Sequence, residues 1–283
     1  MNYDVDLVLV FYLVFSQLAV GGMAVMLLIP KGLVGANFYR LMGGIYLLVS
    51  GLARCANLYW HDQTITFLNF FDFWQDTESV LVISFFCILL LYTLSWWFKS
   101  SFVTLILFYG GILCGTFWLI YSAIAYIEIV QIPGVTFLLP AQFIVAAVLL
   151  GTVHTGMWFG HWYLVTPELP VHYLRRFNTV LLGTLIVLIG LFCLNLFFRS
   201  QVEDVDPFTF HKELIFFIRV GLGFVGTLIL YFITWDCLRP KSVALDEVGA
   251  TRAATGFLFI AIITVLMGEF CSRYLFITMQ FLL

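Results

Sequence analysis

Charged side chains are scarce in this sequence, and their scarcity excludes a soluble globular fold. Asp, Glu, Lys and Arg make up 10% of its 283 residues, whereas hydrophobic residues make up 63%. A soluble domain is about one quarter charged. No basic cluster in the sequence suggests a nucleic-acid partner. Aromatic residues, by contrast, make up 18%, as expected for a lipid-facing surface with aromatic belts at both interfaces.

Several motifs are missing as well. None of the six cysteines forms CxxC or CxxCH, which argues against a disulfide framework, a structural zinc site and covalently attached haem c. No phosphate-binding loop and no nucleophile–base arrangement is present, so hydrolysis and ATP-driven work are not expected. The N-terminus, MNYDVD, lacks the basic region of a cleavable signal peptide, and the first apolar run is therefore predicted to be a retained span.

Eight apolar runs reach the length of about 20 residues that a membrane-spanning helix needs. The predicted spans lie near 5–30, 40–60, 79–98, 102–128, 135–165, 174–198, 212–236 and 253–282. The connections leave no room for a soluble domain, and the longest, 61–78, has the aromatic and acidic mixture of a short amphipathic surface segment. The sequence therefore predicts an all-α integral membrane protein, a bundle of eight transmembrane helices that forms a single domain over residues 1–283.

The distribution of charge between the connections predicts the orientation. One side holds the basic residues Lys31, Arg40, Lys99, Arg175, Arg176, Arg239, Lys241 and Arg252. The other side holds Asp4, Asp6, Asp62, Asp72, Asp76, Glu78, Glu128, Glu203, Asp204 and Asp206, with Arg199 and Lys212 as basic exceptions. Because basic connections stay in the cytoplasm, both termini are predicted on the outer, periplasmic side of a bacterial cytoplasmic (inner) membrane.

Residues 151–170, GTVHTGMWFGHWYLVTPELP, form the one stretch in which histidines lie inside a spanning run. Helical spacing puts His154, Trp158 and His161 on one stripe, with the two histidines roughly 10 Å apart. His172 follows on the same inner side. An ionisable residue inside a membrane marks a functional site by default, so these four residues are candidate cofactor-binding residues.

A second group of candidate binding residues consists of charged side chains within the spans: Arg54, Arg219, Glu269 and Arg273. Charges in hydrocarbon must pair or face a cavity, so these side chains are expected to meet inside the bundle. One interpretation is a site for an anionic group or a quinone carbonyl. The other is a charge cluster that only fixes helix packing, or arginines whose side chains extend to the membrane surface.

A haem b or metal site is one hypothesis for His154 and His161. Two histidines on one stripe cannot bind the same iron from opposite sides, so haem would need a methionine (Met23, Met26 or Met267), a ligand from another subunit, or five-coordinate iron. A single metal ion meets the same difficulty, because residues two helical turns apart cannot both reach it without bending.

A quinone site requires less of the sequence. It needs a few hydrogen-bond donors, a titratable group near the interface, and aromatic or aliphatic walls. His161, Trp162, Tyr163 and His172 provide these near the inner face, and the charged group provides them near the outer one. A histidine that titrates near neutral pH would pass the accompanying protons. The remaining alternative is histidines hydrogen-bonded to neighbouring helices with no cofactor.

These patterns predict an integral membrane subunit of a multi-subunit respiratory or other electron-transfer complex, which anchors the complex and contributes a quinone or haem b site. Catalysis would belong to a quinone-linked oxidoreductase as a whole. Its expected partners are other membrane and extracytoplasmic redox subunits, including a c-type cytochrome docked on the acidic rim. A transporter for a small solute or protons, with Arg54, Glu269 and Arg273 as its coupling site, is the alternative, and a purely structural assembly subunit is a third.

Overall fold

The computed structural model describes residues 3–30, 32–61, 64–72, 76–98, 101–126, 137–166, 169–200 and 210–279. Over these residues the chain is helical and contains no strand. Eight helices within them are long and apolar enough to cross a membrane. A helix suits an apolar chain because it satisfies its own backbone hydrogen bonds without water. The eight candidate spans indicate an integral membrane protein.

The helices, numbered in chain order, follow the predicted spans. They are α1 (Tyr3–Val25), continued by a 3₁₀ turn (Met26–Leu28), α2 (Ala36–Trp60), α3 (Phe67–Phe70), α4 (Thr77–Ser95), α5 (Ser101–Ala125), α6 (Leu138–Val165), α7 (His172–Arg199), α8 (Phe210–Ile218), a π-helical segment (Arg219–Gly226), α9 (Thr227–Cys237), α10 (Pro240–Leu245) and α11 (Glu247–Met279). The π-helical segment joins α8 to α9, and together they make the seventh span. Helix α11 begins six residues before the predicted start because Asp246 caps it, with its Oδ1 2.9 Å from the Gly249 amide nitrogen.

Helix α1 is the central element of the bundle. In an 18-residue apolar stretch of its span, Leu7–Leu28, 78% of the residues are buried, and the helix packs against α2, α6 and α11. Its closest neighbour is α6: a Cβ added to Gly21 would meet the Ala147 carbonyl, and one added to Gly151 would meet the Gly21 backbone. Small residues allow this approach, which is a common way for helices to pack in lipid.

The periphery of the bundle consists of α5, α7 and the seventh span. In an 18-residue apolar stretch of each, 33%, 28% and 28% of the residues are buried, respectively. Large apolar side chains cover their outer surfaces. Leu113 and Phe117 of α5, Ile186 of α7 and Phe217 of α8 are each more than half exposed. An apolar surface of this extent matches the hydrocarbon of a bilayer or a partner's helices rather than water.

The basic residues collect at one end of the bundle, which we call the basic face. It is defined by Arg40, Arg175, Arg176, Arg239, Lys241 and Arg252; Lys31 and Lys99 lie outside the described residues. Hydrogen bonds tie its helix ends together. Arg175 Nε donates to the Leu238 carbonyl oxygen at 2.6 Å, and the Tyr163 hydroxyl donates to Glu247 at 2.5 Å. The start of α7 therefore lies level with the end of α9, and the end of α6 lies level with the start of α11.

The opposite face is where α1 begins and α11 ends. Helix α3, from the long connection between the second and third spans, exposes Phe67 and Leu68 by 79% and 80%, as an amphipathic segment at a membrane surface would. Glu78, predicted to belong to the acidic rim, is instead 7% exposed. Most other charged side chains predicted for this side lie outside the described part of the chain: Asp4, Asp6, Asp62, Glu128, Arg199, Glu203, Asp204, Asp206 and Lys212.

Candidate functional site

Three of the predicted charged residues form one cluster, which we call the arginine cluster: Arg219, Glu269 and Arg273. Arg219 Nη1 lies 2.7 Å from Glu269 Oε1, and Arg273 Nη2 lies 3.4 Å from Glu269 Oε2. The residues are 1%, 0% and 0% exposed, respectively. One carboxylate is therefore shared by two guanidinium groups in the interior of the bundle.

The arginine cluster is incompletely satisfied. With both arginines charged and Glu269 ionised, its net charge is +1. Nε and Nη2 of Arg219, and Nε and Nη1 of Arg273, are buried and lack a hydrogen-bond partner among the described residues. A buried donor without an acceptor costs about 1–3 kcal/mol, and more when it is charged. Such groups in a native structure require an explanation, for example stored strain, a catalytic role or contact with a water or an ion.

Aromatic rings cover part of the two guanidinium groups. Arg219 Cζ lies 4.3 Å from the centre of the Phe224 ring, and Arg273 Cζ lies 4.5 Å from that of Phe143. A desolvated cation–π contact contributes about 2 kcal/mol, which offsets only part of the cost of burying an unneutralised charge. Covered on one side by rings and pinned by one carboxylate, each guanidinium keeps N–H groups for a further acceptor.

The backbone brings the cluster together through two glycines. A Cβ on Gly268 would lie 2.7 Å from Gly223 Cα and 3.2 Å from Arg219 Nη1. Only a residue without a side chain permits this approach, which sets Arg219 against α11 one residue before Glu269. Arg219 is also the first residue of the π-helical segment. Single π turns inside helices occur frequently at functional sites, and this segment is longer than one turn.

Chemically, the arginine cluster is suited to hold an oxygen acceptor. Guanidinium N–H groups bind carboxylate, phosphate and carbonyl oxygens, and charge-assisted hydrogen bonds are about twice as strong as neutral ones. A ligand with negative or developing negative charge would neutralise the excess positive charge and satisfy the unpartnered donors together.

His154 has hydrogen-bond neighbours at both ring nitrogens. Trp158 Nε1 donates to His154 Nε2 at 3.3 Å, so Nε2 is the acceptor and Nδ1 carries the proton. Nδ1 then donates to the Tyr46 hydroxyl at 3.1 Å, and that hydroxyl lies 2.6 Å from Thr155 Oγ1. This arrangement holds a neutral imidazole between α2 and α6. Tyr46, which completes it, was not predicted as a site residue, and no sequence pattern marks it.

Haem fits this surrounding poorly. Coordination through His154 Nε2 requires the hydrogen bond from Trp158 to break. Of the methionines proposed as second ligands, Met23 packs against α5, Met26 lies in the 3₁₀ turn, and Met267 is 44% exposed. The described residues contain no group of three or more His, Cys, Asp or Glu suited to a metal ion. Iron binding by His154 or His161 remains a prediction.

The other histidines lie further out. His161 is exposed, and its ring centroid lies 6.2 Å from that of Trp158 in an edge-on contact. His172 is exposed at the start of α7 and contacts its neighbour Tyr173. The stripe of His154, Trp158 and His161 along α6 is as predicted, but no contact among the described residues brings His172 to it.

Arg54 lies in a different network from the arginine cluster. Its Nη1 donates to Asn57 Oδ1 at 2.7 Å and to Ser79 Oγ at 2.8 Å, and its Nη2 donates to the Asn69 carbonyl oxygen at 3.1 Å. The Phe70 carbonyl oxygen accepts from Nε at 3.3 Å. Arg54 therefore contacts the carbonyls of α3 and joins α2 to α4 at the opposite face. The expectation that it meets the other three charged residues is wrong, and its role in binding stays a prediction.

Glu78 anchors a buried network that the sequence did not reveal. Its Oε1 accepts from the Tyr12 hydroxyl at 2.5 Å and from Ser122 Oγ at 2.6 Å, while Trp118 Nε1 donates to the Tyr12 oxygen at 2.9 Å. The signal available was weak: Glu78 is the second residue of α4, preceded by Asp76, whose Oδ1 caps the helix at Ser79. Such a residue is expected at a solvated helix start.

Comparisons with known proteins add no family to this description. The sequence matches no protein-family model, and no curated protein matches it.

Proposed function

We propose that the chain spans a membrane eight times, with the basic face in the cytoplasm and both termini outside. Support comes from the eight apolar helices, the exposed apolar belt and the collection of Arg and Lys at one end of the bundle. Basic residues near span ends determine orientation, whereas acidic ones contribute little, so the presence of Glu247 at the basic face does not count against it.

Cysteine labelling tests this topology. Lys241→Cys and Leu68→Cys are each introduced into a variant without the native cysteines. The two new cysteines should differ in their reaction with a membrane-impermeant maleimide in intact cells. Leu68 should be labelled and Lys241 should react only after lysis. The reverse pattern would reverse the orientation.

Within this topology, we propose that the protein is the membrane subunit of an electron-transfer complex and binds a quinone at the arginine cluster. The observation that carries the proposal is the pair of buried guanidinium groups, Arg219 and Arg273, that share one carboxylate and keep unpartnered donors. A quinone offers two carbonyl oxygens as acceptors. Negative charge develops on these oxygens when electrons arrive, and preorganised donors in a water-poor site stabilise such charge strongly.

The partner subunits follow from the chemistry. Conversion of a quinone to a quinol takes two electrons and two protons, and the short connections of this chain leave no room for a domain that would carry the electrons. A partner redox subunit would exchange them. The arginine cluster lies about 9 Å along the helix from Glu213, where the seventh span begins, so the proposed site is nearer the opposite face than the basic one.

Purification from native membranes tests this function. The protein should retain redox subunits through mild solubilisation, and organic extraction should release quinone in proportion to protein. A reduced-minus-oxidised absorption spectrum would show whether a haem accompanies it. The control is a quinone-binding membrane subunit of another complex, purified in the same way. If this control keeps its quinone and its redox partner while the protein carries neither, the proposal is contradicted.

A second candidate is a transporter for small organic anions. The observation that favours it is the π-helical segment (Arg219–Gly226) beside a net positive buried charge, because irregular helices near charged centres are common in transporters. Uptake of a carboxylate into proteoliposomes that contain the protein alone, abolished by Arg219→Gln, would select this function. The electron-transfer proposal predicts no such flux.

A further inference from the structure

A groove at the basic face lies between the start of α7 and the end of α9. Its volume is about 490 Å³, and it is lined by Arg175, Asn178, Thr179, Trp235, Leu238, Arg239, Pro240 and Lys241. The two spans that form it are the least buried of the eight, so the groove opens to the outside of the bundle.

Three cations line this groove. The guanidinium of Arg175 is fixed by the hydrogen bond from its Nε to the Leu238 carbonyl oxygen. Arg239 Cζ lies 3.9 Å from the centre of the Trp235 ring. Lys241 is exposed beside them. The side chains of Arg175 and Arg239 are thus held by contacts that leave most of their N–H groups available.

One acidic residue lies nearby. Asp236 Oδ1 is 3.2 Å from Arg239 Nη1, but the two side chains are 67% and 46% exposed. A salt bridge between such exposed groups contributes little, so it does not hold Arg239 away from another anion. Counting Arg175, Arg239, Lys241 and Asp236, the net charge at the groove is +2.

Apolar surface continues from the groove towards the middle of the bundle. On α7, Ile186 and Val187 follow Thr179 at helical spacing and are 57% and 50% exposed. On α9, Phe232 precedes Trp235 by three residues and is 54% exposed. Residues three, four or seven apart share a helix face, so both walls lead from cations to apolar side chains.

We propose that this groove binds an anionic phospholipid, with its phosphate at Arg175, Arg239 and Lys241 and its acyl chains along α7 and α9. Basic pockets between spans on the cytoplasmic side recognise such headgroups. A soluble phosphate carries the same negative charge but has no apolar part that could contact the apolar walls. A phospholipid is therefore the favoured ligand. The inference rests on the proposed membrane topology and is independent of the ligand at the arginine cluster.

The experiment measures lipid binding to the purified full-length chain by native mass spectrometry and thermal unfolding. The probes are phosphatidylglycerol, phosphatidylcholine of equal chain length, and inorganic phosphate. The wild type should retain phosphatidylglycerol and unfold at a higher temperature with it, more than with phosphatidylcholine. Raising the salt concentration should weaken the effect, since charges at the surface are screened.

Charge-removing variants locate the site. Lys241→Gln should weaken phosphatidylglycerol binding about fivefold, and Lys241→Gln with Arg239→Gln about twenty-five-fold, from the typical contribution of one basic residue near a membrane surface. Arg252→Gln is the matched control, because Arg252 is an exposed basic-face residue outside the groove. It should leave binding unchanged.

Three outcomes would overturn the proposal: equal loss in the control, equal binding of both lipids, or an effect of inorganic phosphate that matches that of phosphatidylglycerol. Quinone content serves as an independent measure. Groove variants that lose lipid and keep quinone separate this inference from the function proposed for the arginine cluster.

Discussion

Arg219 Nη1 lies 2.7 Å from Glu269 Oε1 on a neighbouring span, and the two residues are 1% and 0% exposed, respectively. A neutral pair of this kind is a common solution for charge inside a bundle. Arg273 changes the balance, because it adds a second cation to the same carboxylate one turn along α11. If the arginine cluster is a ligand site, as proposed, its excess positive charge is unfavourable until the ligand binds.

Loss of the shared carboxylate should be severe. Glu269→Gln leaves two buried guanidinium groups without a counter-charge, and removal of one partner from a buried pair costs about 3–5 kcal/mol. Thermal unfolding in detergent should show a large decrease in melting temperature. Glu213→Gln is the control, because Glu213 is an exposed glutamate at the start of the seventh span, and it should have no measurable effect. Equal melting temperatures for both variants would mean that the Glu269 carboxylate does not stabilise the fold.

The close contact between Gly223 and Gly268 should tolerate no side chain. Gly268→Ala places a methyl group 2.7 Å from Gly223 Cα, so the seventh span must move away from α11. Overpacking of this kind costs about 1–3 kcal/mol, and the shift separates Arg219 from Glu269. Both stability and quinone content should therefore decrease.

Gly221→Ala provides the matched control for this contact. Gly221 lies in the same π-helical segment but has no atom within 4 Å of an added Cβ. Stability and quinone content should stay at wild-type levels. A comparable loss in Gly221→Ala would show that the backbone geometry of the segment, and not the interhelical contact, is what the alanine disturbs.

Tyr46 should be needed to hold His154. Tyr46→Phe removes the acceptor of His154 Nδ1–H and a hydrogen-bond partner of Thr155, and one unsatisfied buried group costs about 1–3 kcal/mol. The free energy of unfolding, measured with denaturant, should decrease by this amount. Tyr109→Phe, at a half-exposed tyrosine, should leave it unchanged. If Tyr46→Phe is equally silent, the hydrogen bonds at His154 contribute nothing to stability.

The span pattern could be predicted from the sequence because hydropathy acts over whole helices. All eight predicted spans have a helix, and the clearest displacement, at the start of α11, has a local cause. Arg252 was predicted to belong to a connection, but Asp246 caps the helix, which therefore includes Glu247 and Arg252. A charged residue near the end of a span therefore indicates where the helix reaches the membrane surface, and not where the helix ends.

Side-chain partners were harder to predict, because they depend on helix rotation and neighbour identity. The pairing of Glu269 with Arg273 follows from spacing of four on one helix, but spacing does not show which neighbour contacts Arg54. Arg54 donates hydrogen bonds to the carbonyl oxygens of Asn69 and Phe70 in helix α3. The π-helical segment was invisible for another reason: a change in backbone hydrogen bonding leaves hydropathy as it was.

Arg273→Gln distinguishes a ligand site from a packing cluster when it is compared with the wild type for bound quinone and for stability of the quinone-free protein. This variant leaves the neutral pair of Arg219 and Glu269. If the cluster is a ligand site, quinone content should decrease at least about tenfold, the loss of roughly one charge-assisted hydrogen bond, while the quinone-free protein melts no lower than the wild type. If Arg273→Gln keeps its quinone and melts well below the wild type, the cluster only holds the helices together, and the proposal of a quinone site there is contradicted.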